Sequence, residues 1–269
     1  MLLLPRSYLY VPADNERFLV KAESSAADIV ILDLEDSVAN QNKSLARAAA
    51  KKFLDDTKRS GIAIRVNPEN IDDEKDLINH PKVERVFLPK VAKKAEVLNF
   101  IEKCKTTKKL TAIIESALGF TNIKEIAEIS QVATISLGEI DLFTSLVVAD
   151  KANEDIKLFA RATLVYTSSA FDKYPPICPV NSNFNDIENF EAEIMKFRSM
   201  GYWGRACIHP DQIEVANRVF SVDKELLRKA EEIVALLGDG KNGVAKTSDG
   251  QMVDIANLNW AKKYLTIAQ

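Results

Sequence analysis

Short, β-rich apolar runs alternate along the chain with longer stretches of helical period. Eight such runs stand out: SYLYVP (7–12), DIVILDLE (28–35), IAIRVNP (62–68), RVFLPK (85–90), LTAIIES (110–116), ATISLG (133–138), PICPVN (176–181) and GRACIHP (204–210). Each is of strand length, and the stretches between them place apolar residues three and four apart, as at 43–58, 93–104, 120–128 and 190–200. The pattern predicts one long helix over 141–172. Strands that alternate with helices pair in parallel through right-handed crossovers. Eight units are the number for a closed (β/α)8 TIM barrel, with an open doubly wound sheet as the alternative. No glycine-rich dinucleotide fingerprint follows the first run, which disfavours the open sheet.

Beyond the eighth run, 211–219 and 224–237 read as helices. A linker, GDGKNG, covers 238–243, and VAKTSDGQMVD reads as a hairpin-like piece before a final short helix. The expected organisation is a barrel over 1–237 and a short C-terminal extension over 238–269. The extension is a lid, an arm onto a neighbouring subunit, or a packing helix that closes the bottom of the barrel.

Composition narrows the class. The 269 residues are 46% hydrophobic, ample for a sizeable core, and 36 basic residues nearly balance 39 acidic ones. A net charge of -3 provides no basic footprint for nucleic acid. The opening MLLLP is too short for a signal-peptide core, and no run approaches the roughly 18 apolar residues of a membrane span. Cys104, Cys178 and Cys207 are too scattered for a zinc cluster or a disulfide framework and are expected to be small core residues. The expectation is a soluble, cytoplasmic protein with no membrane or nucleic-acid partner.

In such barrels the chemistry sits at the C-terminal ends of the strands. Those ends carry Asp33, Glu35 and Asp36, then Arg65 and Asn67, Lys90, Glu115, Glu139 and Asp141, Asn181 and His209. A purely structural barrel has no reason to gather so many charges at one mouth, because burying them is costly. Glu115 and Asp141, on neighbouring strands, make the partial oxygen cage that suits Mg²⁺; the alternative is that Glu115 pairs with Arg65 across the barrel. Without a His/Cys set, zinc is not indicated. Asp33 and Glu35 alternate onto one face of the second strand, and close carboxylates drive their pKa values apart, as an acid or base requires. Pairing with a basic residue or capping the next helix is the plainer role for at least one of these acids. Arg65 offers a planar fork for a carboxylate or an oxyanion, or forms a structural ion pair. His209 reads as a hydrogen-bonding residue of the rim. Lys43 and Arg47, four apart on a helix, read as a solvated face, although either could meet phosphate.

The blocks RSYLYVPADNERFLVKA, ADIVILDLEDSV, RVNP, VFLPKV, IIESALGF, LGEIDL and GYWGRACIHPDQI, with Lys43 and Arg47 between the second and third, run in one order over residues 6–220. Together they resemble the citrate lyase beta chains and the malyl-, citramalyl- and citryl-CoA lyases of the HpcH/HpaI aldolase superfamily. The resemblance implies a TIM barrel assembled as a homotrimer or dimer of trimers. It implies metal carboxylates at Glu115 and Asp141, a substrate-holding arginine at Arg65, and Asp33, Glu35 and Asp36 near a metal-bound water and the substrate. Asp254, in GQMVD, matches an acid that reaches the neighbouring subunit's site in malyl-CoA lyases. The implied activity is a Mg²⁺-dependent carbon–carbon lyase that splits a short hydroxyacyl-CoA thioester into acetyl-CoA and a 2-keto acid. Glu115 then meets both metal and substrate, and Lys90 is a structural cation rather than a Schiff base. A citrate lyase beta subunit acting on an acyl-carrier-protein thioester, a malyl-CoA thioesterase and a non-catalytic binding barrel are the other readings. The seventh run, ICPVNSNFND, departs from the more acidic pattern of such relatives and leaves the acyl group open.

Overall fold

The computed structural model describes residues 4–146, 154–238 and 243–268. The chain divides into two compact units, one of them Arg6–Val219. In order, this unit holds β1 (Ser7–Pro12), α1 (Glu16–Glu23), β2 (Ile29–Asp33), α2 (Lys43–Asp56), β3 (Ile62–Arg65), α3 (Ile71–Ile78), β4 (Val83–Leu88) and α4 (Lys94–Cys104). It continues with β5 (Lys109–Ile114), α5 (Ala117–Thr121), α6 (Ile123–Ala127), β6 (Val132–Leu137), α7 (Glu139–Thr144), α8 (Glu154–Ala170), α9 (Ile187–Met200), β7 (Arg205–Cys207) and α10 (Asp211–Val219).

The seven strands form one parallel sheet in the order β6-β5-β4-β3-β2-β1-β7. Strands buried on both faces read as unbroken apolar runs, and every residue of β2 is buried. The alternation of side chains across a strand sorts these residues. Tyr8, Ile29, Ile31, Ala63, Phe87, Ile113 and Ala206 gather on one face into a single apolar cluster with Ile177. Helix entries follow local rules. The Asn15 side chain accepts the Phe18 N–H, Ser116 that of Gly119, and Asp186 that of Asn189, each meeting a donor the helix itself leaves open.

Three expectations change. The seventh apolar run is not a strand: Ile177 makes a single bridge to Ser136 and Cys178 a single bridge to Arg205. Pro175, Pro176 and Pro179 flank these two residues, and proline has no N–H to give a ladder. The sheet therefore has seven strands among the described residues, and β7 is the eighth run of the sequence. The long helix over 141–172 is instead α7 and α8, with 147–153 outside the described residues. The helix over 120–128 is the pair α5 and α6, which meet at Asn122.

The second unit comprises Phe220–Gln269 with residues 1–5. Its helix α11 (Lys224–Leu237) starts at Asp223, whose side chain accepts the N–H groups of Glu225 and Leu226. Strands β8 (Val244–Lys246) and β9 (Met252–Asp254) form an antiparallel hairpin, and α12 (Ile255–Ala268) follows. Ala230, Ile233 and Leu237 of α11 pack with Val253, Leu258 and Ala261 in one apolar cluster. No helix among the described residues is long and apolar enough to cross a membrane.

Candidate active site

The C-terminal edge of β2 and β3 sets the first pair. Asp33 and Arg65 are register partners. Arg65 Nε donates to Asp33 Oδ1 at 2.7 Å and Nη2 to Oδ2 at 2.6 Å, a bidentate pair with Asp33 fully buried. Asp33 also accepts the Glu35 N–H at 3.0 Å and the Ser37 hydroxyl at 2.5 Å. Four donors on one carboxylate make it an orienting group for the guanidinium. The Arg65 guanidinium also lies 5.0 Å from the centre of the Tyr10 ring, whose hydroxyl burial pushes well above its ordinary range. Tyr10 points to this role only through its place two residues before the end of β1.

Strand pairing stops at Asp33, so the alternation expected to put Asp33 and Glu35 on one face does not reach Glu35. Glu35 is buried and contacts Arg65 Nη1 at 3.1 Å and Lys90 Nζ at 2.5 Å. Burial pushes its carboxyl upward, against the pull of those two cations. Asp36 is half exposed and meets the same ammonium at 2.8 Å. Burial opposes the charge on Lys90, but Asp36 and Glu35 outweigh it and hold the ammonium above its usual range. Glu35 and Asp36 line a smaller cavity with Lys90 and Asn67, whereas Asp33 lines a larger one. The three acids of LDLED are thus divided between two cavities.

Glu115 follows β5 and is 7% exposed. Its Oε2 accepts the backbone N–H of Lys90 at 2.9 Å, and nothing described donates to Oε1. Lys90 reaches this position with φ at 55°, left-handed backbone that a non-glycine residue adopts at a cost. Burial, followed by the nearby charge of Glu35, raises the Glu115 carboxyl to about 7. Gly138 faces it: a Cβ there would fall 2.4 Å from Glu115 Cγ and 2.6 Å from Oε1. Asp141 stands in the first turn of α7, and its neighbour Glu139 is held by Arg161 of α8 through two bonds of 2.6 Å. The Arg161 pairing lies 22 residues away in sequence and leaves no motif to find it by.

Asp33, Arg65, Glu115, Gly138, Glu139 and Asp141 all border one cavity of about 1140 Å³, whose further wall runs along α1 and α10. Its polar groups stand against an apolar lining that includes Leu9, Val11 and Ile113. Among the described residues, no group of three or more His, Cys, Asp or Glu side chains could hold a metal. A pair of hard carboxylate oxygens, one free of hydrogen bonds, still meets what Mg²⁺ takes from a protein, since it keeps most of its water.

The remaining candidates fall elsewhere. Lys43 Nζ donates to the Leu34 and Glu35 carbonyls at 2.9 and 2.6 Å, and Arg47 pairs with Asp73 at 3.1 Å. His209 borders the large cavity and stacks on Phe184 at 5.0 Å. Asn181 donates to Glu193 at 3.0 Å. Asp254 belongs to the second unit, is exposed, and accepts the N–H groups of Ala256 and Asn257 at the start of α12. The three cysteines are free and buried, as expected.

A parallel β/α sheet with acids and one arginine clustered at its C-terminal edge is the setting of an α/β enzyme site, and its relatives put this protein in the carbon–carbon lyase class. Residues 6–210 match the family described as HpcH/HpaI aldolase/citrate lyase, and the chain belongs to it. It is 30% identical over 272 residues to a (3S)-malyl-CoA thioesterase of Cereibacter sphaeroides, covering 98% of this chain and 94% of that one. It is equally 30% identical, over 294 residues, to an L-malyl-CoA/beta-methylmalyl-CoA lyase of the same organism, with 96% and 92% covered. Among solved structures it is similar to the CitE protein of Mycobacterium tuberculosis in complex with magnesium, acetoacetate and coenzyme A. That likeness has a TM-score of 0.74 and 30% identity, and covers 99% of this chain and 98% of that one.

Proposed function

We propose that this chain is a Mg²⁺-dependent lyase that cleaves a short hydroxyacyl-CoA thioester, of the malyl-, citramalyl- or citryl-CoA kind, to acetyl-CoA and a 2-keto acid. The observation that carries the reading is the unpartnered Glu115 Oε1 in a cavity that Asp141 and Arg65 also line, with Asp141 near enough for its charge to add to burial in raising the Glu115 carboxyl. About 1140 Å³ exceeds what a keto acid needs and suits the thioester arm of CoA as well. The names of the malyl-CoA lyase and of the CoA complex of CitE support the substrate class, and that complex supports the metal.

Glu115 and Asp141 would hold the ion, which supplies Lewis-acid polarisation of the substrate's oxygens. Arg65, set in place by Asp33 and Glu35, donates N–H groups to the thioester oxygen as the carbon–carbon bond breaks and its electron pair moves into the enolate. The hydroxyl proton passes to a carboxylate of the mouth, and a proton returns to the acetyl carbon from Asp254 of a neighbouring copy. Lys90 keeps Glu35 and Asp36 neutralised and takes no covalent part. In the same reading the two single bridges at Ile177 and Cys178 close the sheet into an eight-membered barrel, and the protein works in the cytoplasm as a trimer.

The equal likeness to a malyl-CoA thioesterase makes hydrolysis the second reading, with water attacking the thioester. Malyl-, citramalyl- and citryl-CoA, each supplied with Mg²⁺, separate the two. A released keto acid with acetyl-CoA, lost in Glu115→Gln, is the expected result. Free malate with CoA would establish the thioesterase, and no product from any of the three would overturn both.

A further inference from the structure

Three carboxylates border the large cavity where β5 ends and α7 begins: Glu115, Glu139 and Asp141. Only Glu139 is fully engaged by a cation. Arg161 Nε and Nη2 each reach it at 2.6 Å, and both side chains are nearly buried, at 9% and 13% exposure. Arg161 is itself fixed. Its guanidinium lies 4.4 Å from the centre of the Phe197 ring of α9, and its carbonyl accepts the Tyr202 hydroxyl at 3.2 Å. A planar fork packed on an aromatic ring, carried by an anchored backbone and closed on a carboxylate leaves that carboxylate little freedom.

The pairing matters because Glu139 stands two residues before Asp141 on the same cavity wall, yet with Arg161 on it the three acids form no metal-holding group among the described residues. A divalent cation gains affinity with each carboxylate it acquires, and loses with each a position that a substrate oxygen could occupy. We propose that Arg161 is a positioning residue that withholds Glu139 from the cation, so that the site keeps two protein carboxylates and stays open to substrate. This rests on the metal reading of Glu115 and Asp141 given above.

Breaking the pair leaves Glu139 charged, nearly buried and unpaired, an unfavourable state that drives it toward any nearby cation. The test is Mn²⁺ binding to the metal-free protein, followed by calorimetry and by the spin-resonance signal of free Mn²⁺. Arg161→Met is expected to bind Mn²⁺ about tenfold more tightly than the wild type, because ligand charge count tunes the affinity of an oxygen site, and to turn over about tenfold more slowly. Arg161→Met/Glu139→Gln should return to wild-type affinity. A merely structural Arg161 would weaken binding when lost, so unchanged or weaker affinity in Arg161→Met overturns the proposal. If that variant does not fold, Arg161→Lys, which keeps the charge but loses the fork, carries the same test with a smaller tightening. Glu115→Gln separates the two claims. Wild-type protein that binds Mn²⁺ no better than Glu115→Gln sinks the metal reading itself, whereas a clear difference there with no tightening at Arg161 sinks only this proposal.

Discussion

Gly138 has no side chain where Glu115 already lies. An alanine methyl at this position would sit 2.4 Å from Glu115 Cγ, closer than any real contact, so the carboxylate has to move. The backbone angle at Gly138 is ordinary, with φ at -87°, so the requirement is one of space rather than of conformation. Gly138→Ala is therefore expected to spare the fold and damage the site. A fall in kcat/KM on the order of 10²-fold is expected for a displacement of about an ångström in a reacting group. Steady-state kinetics beside a melting curve checks it, and an unchanged kcat/KM would show that Glu115 tolerates the shift. At this scale the sequence displayed LGEIDL and IIES as adjacent strand ends. It did not display that one had to be bare for the other to fit, because that depends on the packing of residues 23 positions apart.

Glu74 shows how an element can carry a titratable group that lines neither cavity. It stands in the first turn of α3, fully buried, and its Oε2 accepts the Asn67 N–H at 2.9 Å while Oε1 has no partner. The bond ties α3 to the residues just beyond β3, and so to the segment that carries Arg65. Burial raises the carboxyl to about 8 from an ordinary 4.5, against the favourable charges of Arg47 and Lys43. The native state then binds the proton more tightly than the unfolded chain does. The stabilising contribution is complete below about 4.5 and is lost as pH rises through about 8, an effect on the order of a few kcal/mol. Glu74→Gln keeps the acceptor for Asn67 and removes the titration. Its melting temperature should match the wild type in acid and exceed it by several degrees at pH 9. Parallel melting curves between pH 5 and 9 would contradict this. The sequence showed α3 only as an acidic stretch, IDDEKDLI, with nothing to separate buried Glu74 from its exposed neighbours Asp72 and Asp73 except helical period.

For the whole molecule the test is whether one copy suffices. Asp254 ends β9 and accepts two backbone N–H groups at the start of α12, a role that asparagine fills equally well. Asp254→Asn should therefore fold normally. If the acid serves a neighbouring copy, the variant turns over slowly, binds Mn²⁺ as the wild type does, and regains part of its activity after subunit exchange with Glu115→Gln. The recovery is expected because a mixed assembly joins an intact mouth to an intact tail. Verified mixed oligomers without any recovery, or a protein that sediments as a monomer, would count against the shared site.

The sequence by itself determined the succession of β/α units, the parallel sheet they build, and the placing of Asp33, Arg65, Glu115 and Asp141 at or just beyond the strand ends. These follow from periodicity and from short motifs, which are properties of neighbouring residues. It also contained the reason the seventh run fails as a strand, since Pro176 and Pro179 stand on either side of Ile177 and Cys178. Only the tertiary structure decided which donor meets each acid. Asp33 grips Arg65 across 32 positions, the Lys90 N–H reaches Glu115 across 25, and Arg161 closes on Glu139 across 22. Asp33 and Glu139 have several arginines in the chain to choose from, and among the described residues the packed sheet and its helices bring one to each, whereas Glu115 receives a neutral backbone N–H.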